Sequence, residues 1–547
     1  MKNQNYPLYQ VEPLASFKEL VNHTAEKYGD SPAFTFERNG EVKSVSYRQF
    51  KSDVASLGTA FYKMGLSGKA AVIGENSYEW IATYFAVANS GNVIVPLDKE
   101  LPVADLKYLV DDSGAEMLVF ADNFSDVAAY LQENGSNVKH YINKNRIPEL
   151  IKQGEAAIKN GNTAIVNLEV DNKAMSTILY TSGTTGMAKG VMLTPYAIMR
   201  DTVAAANLTR TRGSHLLVLP LHHSFGFTGC CVFPLLVGGE IVINSGLKNI
   251  LSDLEKFKPH NMFLVPLFIE KFYKRIWDAA KKKGKDGMLR KLIGISNGML
   301  KAGIDARRVL FKSVLKAFGG NLEIIVSGGA PVDNKYVQGL RDFGILAING
   351  YGITECSPVV AVNRNNYYRA DSAGQVVPAC EVKILNPNET GHGEICVKGD
   401  IVMLGYYNNE QATKDAFDGE WFKTGDIGYM DEDGFLFITG RKKNLIILGN
   451  GKNVYPEELE FNILNNIPYV SEVVVYADGN AIVAEVFLDT ENDPDCASRL
   501  YDDVVALNKK LASYQNINRT IVRDTEFPKT TTKKIKRQYK NGAPTNA

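Results

Sequence analysis

Residues 180–191 read YTSGTTGMAKGV, and this stretch decides how the rest of the chain is interpreted. A strand pattern at 176–180 leads into it. Gly183 and Gly186 permit backbone turns that point N–H groups at an anion. Lys189 adds positive charge, and hydroxyl donors come from Thr181, Ser182, Thr184 and Thr185. The stretch therefore predicts a loop that cradles phosphate groups. It differs from the Walker pattern, because Gly190 rather than Ser or Thr follows the lysine.

On both sides of this loop, short apolar runs alternate with longer segments of helical spacing. The runs are rich in Val and Ile and lie at 70–74, 93–97, 117–121, 214–220, 240–243, 262–265 and 322–327. Helical spacing is clearest at 77–89 and 104–112. Strand–helix–strand order with continuous apolar strands predicts parallel sheets covered by helices.

The pattern changes after about Val382. Short strands there are separated by turn residues, and GYMDEDGFLFITG at 428–440 predicts a hairpin. The last part of the chain has a predicted helix at 456–465 and predicted strands at 470–476 and 481–488. We therefore predict an α/β protein. Its large N-terminal domain, 1–441, has two helix-covered, mainly parallel sheets and a β-rich subdomain at about 380–440. A small α+β C-terminal domain, 442–547, follows.

Composition excludes several other classes. With 61 basic and 61 acidic residues, the net charge gives no general attraction to nucleic acid. The six cysteines are scattered without a CxxC pair, which argues against a zinc site and fits a reducing, cytoplasmic setting. The N-terminus has no apolar run typical of a secretory signal. An uncharged stretch, 213–239, is long enough to span a bilayer but contains three histidines and two prolines, so we interpret it as a buried strand, a polar loop and a packed helix.

With these features in view, the chain resembles the superfamily of acyl-CoA synthetases, firefly-type luciferases and adenylation domains. Residues 180–191 match the phosphate loop of that family, although Ala188 stands where the family often has proline. Further family segments follow in the same order: LPLHHSFG (219–226), SGGAP (327–331), NGYGITE (349–355), WFKTGDIG (421–428), GRKKNLIIL (440–448), NGKNVYPEELE (450–460) and FPKTTTKKIKR (527–537).

The resemblance implies a role for each matched residue. His223 would line the acyl pocket beside the reacting carboxylate, and Thr354 would contact the α-phosphate. Glu355 would hold Mg²⁺, together with Thr181 as a second candidate ligand. Contacts to ATP or AMP are implied for the phosphate-loop residues already named, and for Gly329, Ala330, Pro331, Asn349, Gly350, Tyr351, Gly352, Asp426 and Arg441.

The basic C-terminal segment has two interpretations. Its residues alone suggest a nucleic-acid arm or a solvated tail. The resemblance instead implies that Lys534 is the catalytic lysine, contacting the carboxylate and the α-phosphate during adenylation. Lys533 stands where the family usually has glycine. The resemblance also implies a mobile C-terminal domain that pivots at Lys443 between two half-reactions.

The implied activity is ATP- and Mg²⁺-dependent conversion of a carboxylic acid, a medium- or long-chain fatty acid, to acyl-AMP, followed by transfer to coenzyme A. An alternative acceptor is the pantetheine arm of a carrier protein, and a nucleotide-binding module without catalysis is a third hypothesis. We expect small-molecule partners, no nucleic acid and a cytoplasmic location. Peripheral membrane contact through 274–285 and a homodimer stay open.

Overall fold

The computed structural model describes residues 7–181, 188–448, 452–479, 481–491, 493–529, 535–537, 539–540 and 543–544. The chain divides into two compact units: the first is Met1–Glu381 with Val397–Phe422, and the second is Val382–Cys396 with Lys423–Ala547. Some of the predicted site residues lie outside the described residues, namely Ser182, Gly183, Thr184, Thr185, Gly186 and Lys534.

One sheet of the first unit carries the strands that flank the predicted phosphate loop. In spatial order its strands are Gly405–Tyr406, Lys189–Leu193, Thr177–Thr181, Val93–Pro96, Lys69–Ile73, Met117–Phe120 and His140–Asn143. The pairs are parallel except the two made by Lys189–Leu193, which runs antiparallel to both of its neighbours. The interior strands are apolar on both faces, which is typical of a helix-covered parallel sheet.

A second sheet of the first unit carries the SGGAP and NGYGITE segments. In spatial order its strands are Glu41–Ser46, Pro32–Arg38, Ile241–Ile243, His215–Leu217, Asn261–Leu264, Ile324–Ser327, Leu346–Gly352, Val359–Val362 and Gly374–Val376. Its middle pairs are parallel, and Ser327 lies opposite Asn349. Both segments therefore leave the sheet at the same carboxyl edge, where ligands of open α/β sheets bind.

Helices cover these sheets. Those of eight residues or more are Phe17–Tyr28, Tyr47–Lys63, Tyr78–Asn89, Val103–Ser113, Ser125–Glu133, Ile147–Lys159, Pro195–Leu208, Ile250–Phe257, Pro266–Lys282, Asp286–Lys301 and Asn334–Asp342. Tyr78–Asn89 begins after Ser77, whose hydroxyl accepts a hydrogen bond from the Trp80 N–H, and it is buried on all sides.

The uncharged stretch at 213–239 folds as predicted, into a buried strand, a loop and packed helical turns. Its elements are His215–Leu217, Ser224–Phe227, the π-helical turn Thr228–Val232 and Phe233–Val237. Among the described residues, no helix combines the length and the apolar character needed to cross a membrane.

The second unit contains a hairpin and a small α+β core. The hairpin joins Trp421–Met430 to Phe435–Arg441, and Asp431 Oδ1 closes its turn by accepting a hydrogen bond from the Phe435 N–H. In the core, Val470–Asp478, Ala481–Leu488 and Arg519–Arg523 form a sheet, and the helices Pro456–Asn466 and Cys496–Asn508 pack with it. Shorter or boundary elements are Cys380–Leu385, Gly393–Gly399, Glu410–Ala416, Phe417–Asp418, Ile446–Ile447, Asn453–Val454, Tyr539–Lys540 and Ala543–Pro544.

The predicted fold class is confirmed: a large N-terminal part of helix-covered, mainly parallel sheets is followed by a smaller α+β part. Helix Cys496–Asn508 had no counterpart in the sequence prediction. Its buried residues Leu500, Val504 and Leu507 have helical spacing, and this was the signal available.

Candidate active site

The loop that carries Thr354 and Glu355 follows strand Leu346–Gly352. The Ile353 N–H donates to the Pro358 carbonyl at 2.9 Å and closes the loop. A Cβ atom at Gly352 would lie 2.2 Å from that carbonyl oxygen, so only glycine fits there without a shift of the backbone. The short turn Thr354–Cys356 then presents the threonine and the glutamate in succession.

The histidine loop meets this Thr354 loop through a hydroxyl pair. Ser224 Oγ and Thr354 Oγ1 are 3.1 Å apart, although they are separated by 130 residues in the chain. His223 immediately precedes Ser224 and begins helix Ser224–Phe227 as its N-cap residue. The structure thus places the loops of two predicted catalytic residues, His223 and Thr354, side by side.

Glu355 is held by a tyrosine that sequence reasoning did not identify. The Tyr406 hydroxyl donates to Glu355 Oε1 at 2.9 Å; the tyrosine is buried and the glutamate is half-buried. Burial, and then the negative charge of Glu355, raise the pKa of Tyr406, so the phenol stays protonated as the donor. The other carboxylate oxygen of Glu355 has no partner among the described residues. It is available to a hard cation such as Mg²⁺.

The same tyrosine links Glu355 to the predicted phosphate-binding lysine. Lys189 Nζ lies 4.9 Å from the centroid of the Tyr406 ring, a cation–π distance. Lys189 pairs in the sheet with Thr181, so both ends of the phosphate loop are fixed to neighbouring strands. The carboxylate, the phenol and the ammonium group therefore form one connected cluster.

A contact between a buried histidine and an aspartate lies beside His223. His222 Nε2 is 3.2 Å from Asp98 Oδ1, and the His222 ring centroid is 4.3 Å from that of His223. The sequence analysis assigned no role to Asp98. Among the described residues, the ligand atoms of these three side chains lie within 4.8 Å of one another, a spacing that also permits a metal ion. Because His222 Nε2 already faces Asp98, we interpret the cluster as a histidine–aspartate contact that fixes the histidine loop.

The two predicted adenine-binding segments lie on adjacent strands. Gly329 has φ +84°, which favours glycine, and Ala330 and Pro331 follow it at the exposed surface. On the next strand Tyr351 is half-buried, between Gly350 and Gly352. The Asn349 Nδ2 group donates to the Ala370 carbonyl at 2.8 Å, so this side chain braces a neighbouring loop.

In the second unit, Asp426 and Arg441 lie opposite each other in the hairpin. Arg441 Nε is 2.8 Å from Asp426 Oδ1, and the aspartate is almost fully buried. Lys443 follows two residues later. Burial, and then the positive charges of Arg441 and Arg537, lower the pKa of Lys443.

The described residues on either side of Lys534 are anchored to the second unit. Arg537 pairs with Glu460, and the Lys536 N–H donates to the Pro528 carbonyl at 2.7 Å. Lys529 pairs with Glu472, and Ile535 packs on an apolar cluster. Lys529 and Arg537 thus form ion pairs with the core of the unit, which a solvated tail would not do.

Comparisons with known proteins agree with this arrangement. Residues 21–407 match the AMP-binding enzyme family, and residues 443–541 match the AMP-binding enzyme C-terminal domain. The chain is 31% identical to the long-chain-fatty-acid–CoA ligase FadD15 of Mycobacterium bovis over 80% of this chain and 76% of that protein. It is 27% identical to a long-chain-fatty-acid–CoA ligase of Salmonella typhimurium over 96% of this chain and 93% of that protein.

Solved structures share the fold at lower sequence identity. A fatty acyl CoA synthetase of Mycobacterium tuberculosis is similar with a TM-score of 0.66 and 22% identity, over 95% of this chain and 96% of that one. The anthranilate CoA ligase AuaEII in complex with anthranoyl-AMP is similar with a TM-score of 0.75 and 21% identity, over 98% and 97%. Fold and site define an adenylate-forming enzyme. The chain belongs to the AMP-binding enzyme family, which confirms the predicted superfamily.

Proposed function

We propose that the protein converts a fatty acid of medium or long chain to acyl-AMP with ATP and then transfers the acyl group to coenzyme A. The observation that carries this proposal is the cluster of Lys189, Tyr406 and Glu355 beside the Ser224–Thr354 contact. It gathers a cation, a hydroxyl donor and a carboxylate at one site, as chemistry on a triphosphate requires. The names of the relatives, long-chain-fatty-acid–CoA ligases, support the choice of acid and of acceptor.

The reaction needs alignment and neutralisation of charge. A carboxylate is a poor acyl donor, so the acid attacks the α-phosphate of ATP, a mixed anhydride forms and pyrophosphate leaves. Thr354 would donate to the α-phosphate, and Lys189 would offset the phosphate charge. Lys534 would bring a second cation to the reacting carboxylate. In the next step the thiol of coenzyme A attacks the acyl carbon and AMP leaves.

A magnesium ion fits the residues present. The second carboxylate oxygen of Glu355 is a hard ligand, and the Tyr406 hydroxyl fixes the orientation of the carboxylate. Thr181 lies on the strand that pairs with Lys189 and is the second candidate ligand. When bound, the ion would supply charge neutralisation at the phosphates of ATP.

The acid-binding wall is apolar. Phe225 follows the histidine loop, and its ring lies against two glycines: a Cβ atom at Gly328 would be 2.9 Å from that ring, and one at Gly229 would be 3.4 Å from it. Phe263 packs edge-to-face on Phe225. Such a wall favours an apolar acid over one that carries a charged amine.

The second unit would serve both half-reactions. Asp426 and Arg441 would contact the ribose, and the C-terminal domain, 442–547, would pivot at Lys443 to replace Lys534 by a face suited to thioester formation. Gly329, Ala330, Pro331 and the 349–352 strand would contact adenine. Cytoplasmic location, peripheral membrane contact and a homodimer belong to the same proposal, and coenzyme A is preferred over a carrier-protein acceptor.

The test is thioester formation by purified protein with ATP, Mg²⁺ and CoA, across acetate, octanoate, palmitate and benzoate, read by mass spectrometry. We expect a CoA thioester with octanoate or palmitate. Acyl-AMP without thioester would favour a carrier-protein acceptor. No adenylate from any acid would refute the proposal.

A further inference from the structure

The two ends of the segment that carries the proposed catalytic lysine lie next to each other. Lys529 and Ile535 pair in an antiparallel β-bridge, and the Lys536 N–H donates to the Pro528 carbonyl at 2.7 Å. We call residues 528–537 the lysine segment. Because its ends are joined, its position depends on how the second unit holds them.

Apolar burial contributes little to holding the lysine segment. In the part of the chain that the structure describes, the large apolar cluster of the second unit includes no residue after Ile517. The lysine segment contributes one partly buried side chain, that of Ile535, to a smaller cluster. Burial of apolar surface is the dominant favourable term in folding, so polar contacts carry more of the anchoring here.

Arg537 connects the lysine segment to helix Pro456–Asn466. Its guanidinium pairs with Glu460, and the same nitrogen lies 3.7 Å from Glu457, which is one turn earlier on that helix. The side chains of Arg537 and Glu460 are only 16% and 13% exposed. Little water competes for the pair, so the loss of one partner costs more than it would at the surface.

Both carboxylate oxygens of Glu460 have partners. Glu460 Oε1 accepts a hydrogen bond from the Val475 N–H at 2.6 Å, and Oε2 pairs with Arg537. Val475 belongs to strand Val470–Asp478 of the central sheet of the unit. Glu460 therefore joins its own helix, the sheet and the lysine segment at one point.

The same helix also contacts the chain beside the proposed pivot. Asn444 directly follows Lys443, and its side-chain amide donates to Glu457 Oε1. This is the carboxylate that also lies near Arg537. A rotation at the pivot would therefore be transmitted to the lysine segment through contacts within one unit.

We infer that Glu460 is a positioning residue, which acts through Arg537 to hold the lysine segment where Lys534 reaches the carboxylate and the α-phosphate. The inference rests on the proposed function and adds the side chain that fixes the catalytic cation. Displacement of a catalytic group by about 1 Å costs on the order of a hundredfold in rate, so the base of a long lysine side chain must be held firmly. Thioester formation in the proposed mechanism uses another face of the C-terminal domain. It therefore does not require Lys534 to be held in place.

The experiment compares the two half-reactions of Glu460→Gln in the full chain. Glutamine is similar in size and keeps an oxygen for the Val475 N–H, but it removes the negative charge that faces Arg537. Burial raises the pKa of Glu460 to about 8, so the assays are run at about pH 9, where the unchanged carboxyl is ionised. Adenylation is read as ATP–pyrophosphate exchange, and transfer is read as thioester formation from supplied acyl-AMP and CoA.

The expected result is a loss confined to adenylation. Glu460→Gln should slow pyrophosphate exchange by about tenfold, as is typical for loss of a charged hydrogen-bond partner, and should leave transfer unchanged. Arg537→Gln should slow exchange to a similar extent, and the double variant should be no slower than Arg537→Gln alone, because two residues that act through one contact are not additive. Glu485→Gln is the matched control, since this buried carboxylate of the same unit pairs with Arg523, outside the lysine segment, at 2.6 Å. It should leave both half-reactions unchanged.

Other results would overturn the inference. Unchanged exchange in Glu460→Gln would do so, and so would an equal loss of both half-reactions or an equal loss in the Glu485 control, which a general weakening of the unit would give. Additive losses in the double variant would show that Glu460 does not act through Arg537. Absence of exchange in the unchanged protein with every acid would overturn the proposed function together with this inference, whereas the other results leave the proposed function intact.

Discussion

Replacing Tyr406 by Phe isolates the hydroxyl that holds Glu355. The ring remains, so the contact with Lys189 Nζ at 4.9 Å is kept, and only the hydrogen bond of 2.9 Å to Glu355 Oε1 is lost. A hydrogen bond to a charged group contributes about 1.5–3 kcal/mol. If that energy orients the carboxylate that we propose as a Mg²⁺ ligand in the transition state, kcat/KM for adenylation falls by about ten- to a hundredfold. The same loss of orientation should raise the Mg²⁺ concentration at half-maximal rate.

The assay is ATP–pyrophosphate exchange with the preferred acid, repeated across a Mg²⁺ titration. Tyr407→Phe is the matched control, because the Tyr407 hydroxyl is 3.5 Å from the Ser113 carbonyl and its loss should change the exchange rate less than about twofold. An unchanged rate and an unchanged Mg²⁺ dependence in the Tyr406 variant would refute the role of Tyr406. A loss confined to thioester formation would refute it as well.

Further predictions concern other parts of the two units. Ser224→Ala removes the hydrogen bond of 3.1 Å between the Ser224 and Thr354 hydroxyls. Because such a bond contributes about 1 kcal/mol, pyrophosphate exchange should slow by about fivefold. A rate equal to that of the wild type would mean that this contact does not position the two loops. Asp201 is fully buried, one of its oxygens accepts from the Val359 N–H at 3.0 Å, and burial raises its pKa well above the ordinary value. Because the unfolded carboxyl ionises first as pH rises, the free energy of unfolding should fall by about 1.4 kcal/mol per pH unit above about pH 4, until the pH reaches the folded pKa. Asp201→Asn should remove this slope in urea denaturation between pH 5 and pH 7, and parallel curves for the two proteins would contradict the assignment. Lys443→Pro should leave acyl-AMP formation largely intact and slow thioester formation, and an equal loss of both steps, read by mass spectrometry, would exclude the pivot. Lys534→Ala should abolish adenylation, but the variant should still transfer the acyl group of supplied acyl-AMP to CoA. Retained adenylation would show that another cation stabilises the reacting carboxylate and α-phosphate.

Local patterns predicted the elements well, because strand and helix periodicity is a property of short segments. The predicted strand at 481–488 coincides with Ala481–Leu488, and the predicted helix at 456–465 is Pro456–Asn466. The partners of the site residues were not predictable in this way. Tyr406 and Glu355 are 51 residues apart and Ser224 and Thr354 are 130 apart, so no local pattern marks either pair.

The contact of Asp98 with His222 also could not be predicted from the sequence. Asp98 follows a strand in one sheet of the first unit, and its partner His222 follows a strand in the other. Only the packing of the two sheets brings these two residues together, and that packing cannot be predicted from a single sequence. The motif residues could be named because the resemblance supplied them; the side chains that hold those residues in place required coordinates.

The antiparallel strand Lys189–Leu193 has a consequence for how the gene can vary. Tyr406 pairs with Val191 and Gly405 with Met192, and alternate residues of a strand point to opposite faces. A deletion or insertion of one codon within either strand would turn Tyr406 away from Glu355, although the two strands could still pair with each other. Insertions and deletions should therefore be tolerated in the loops between 193 and 405 and selected against within the two strands. Insertion and deletion scanning across both strands would reveal a folded but inactive class of variants confined to them.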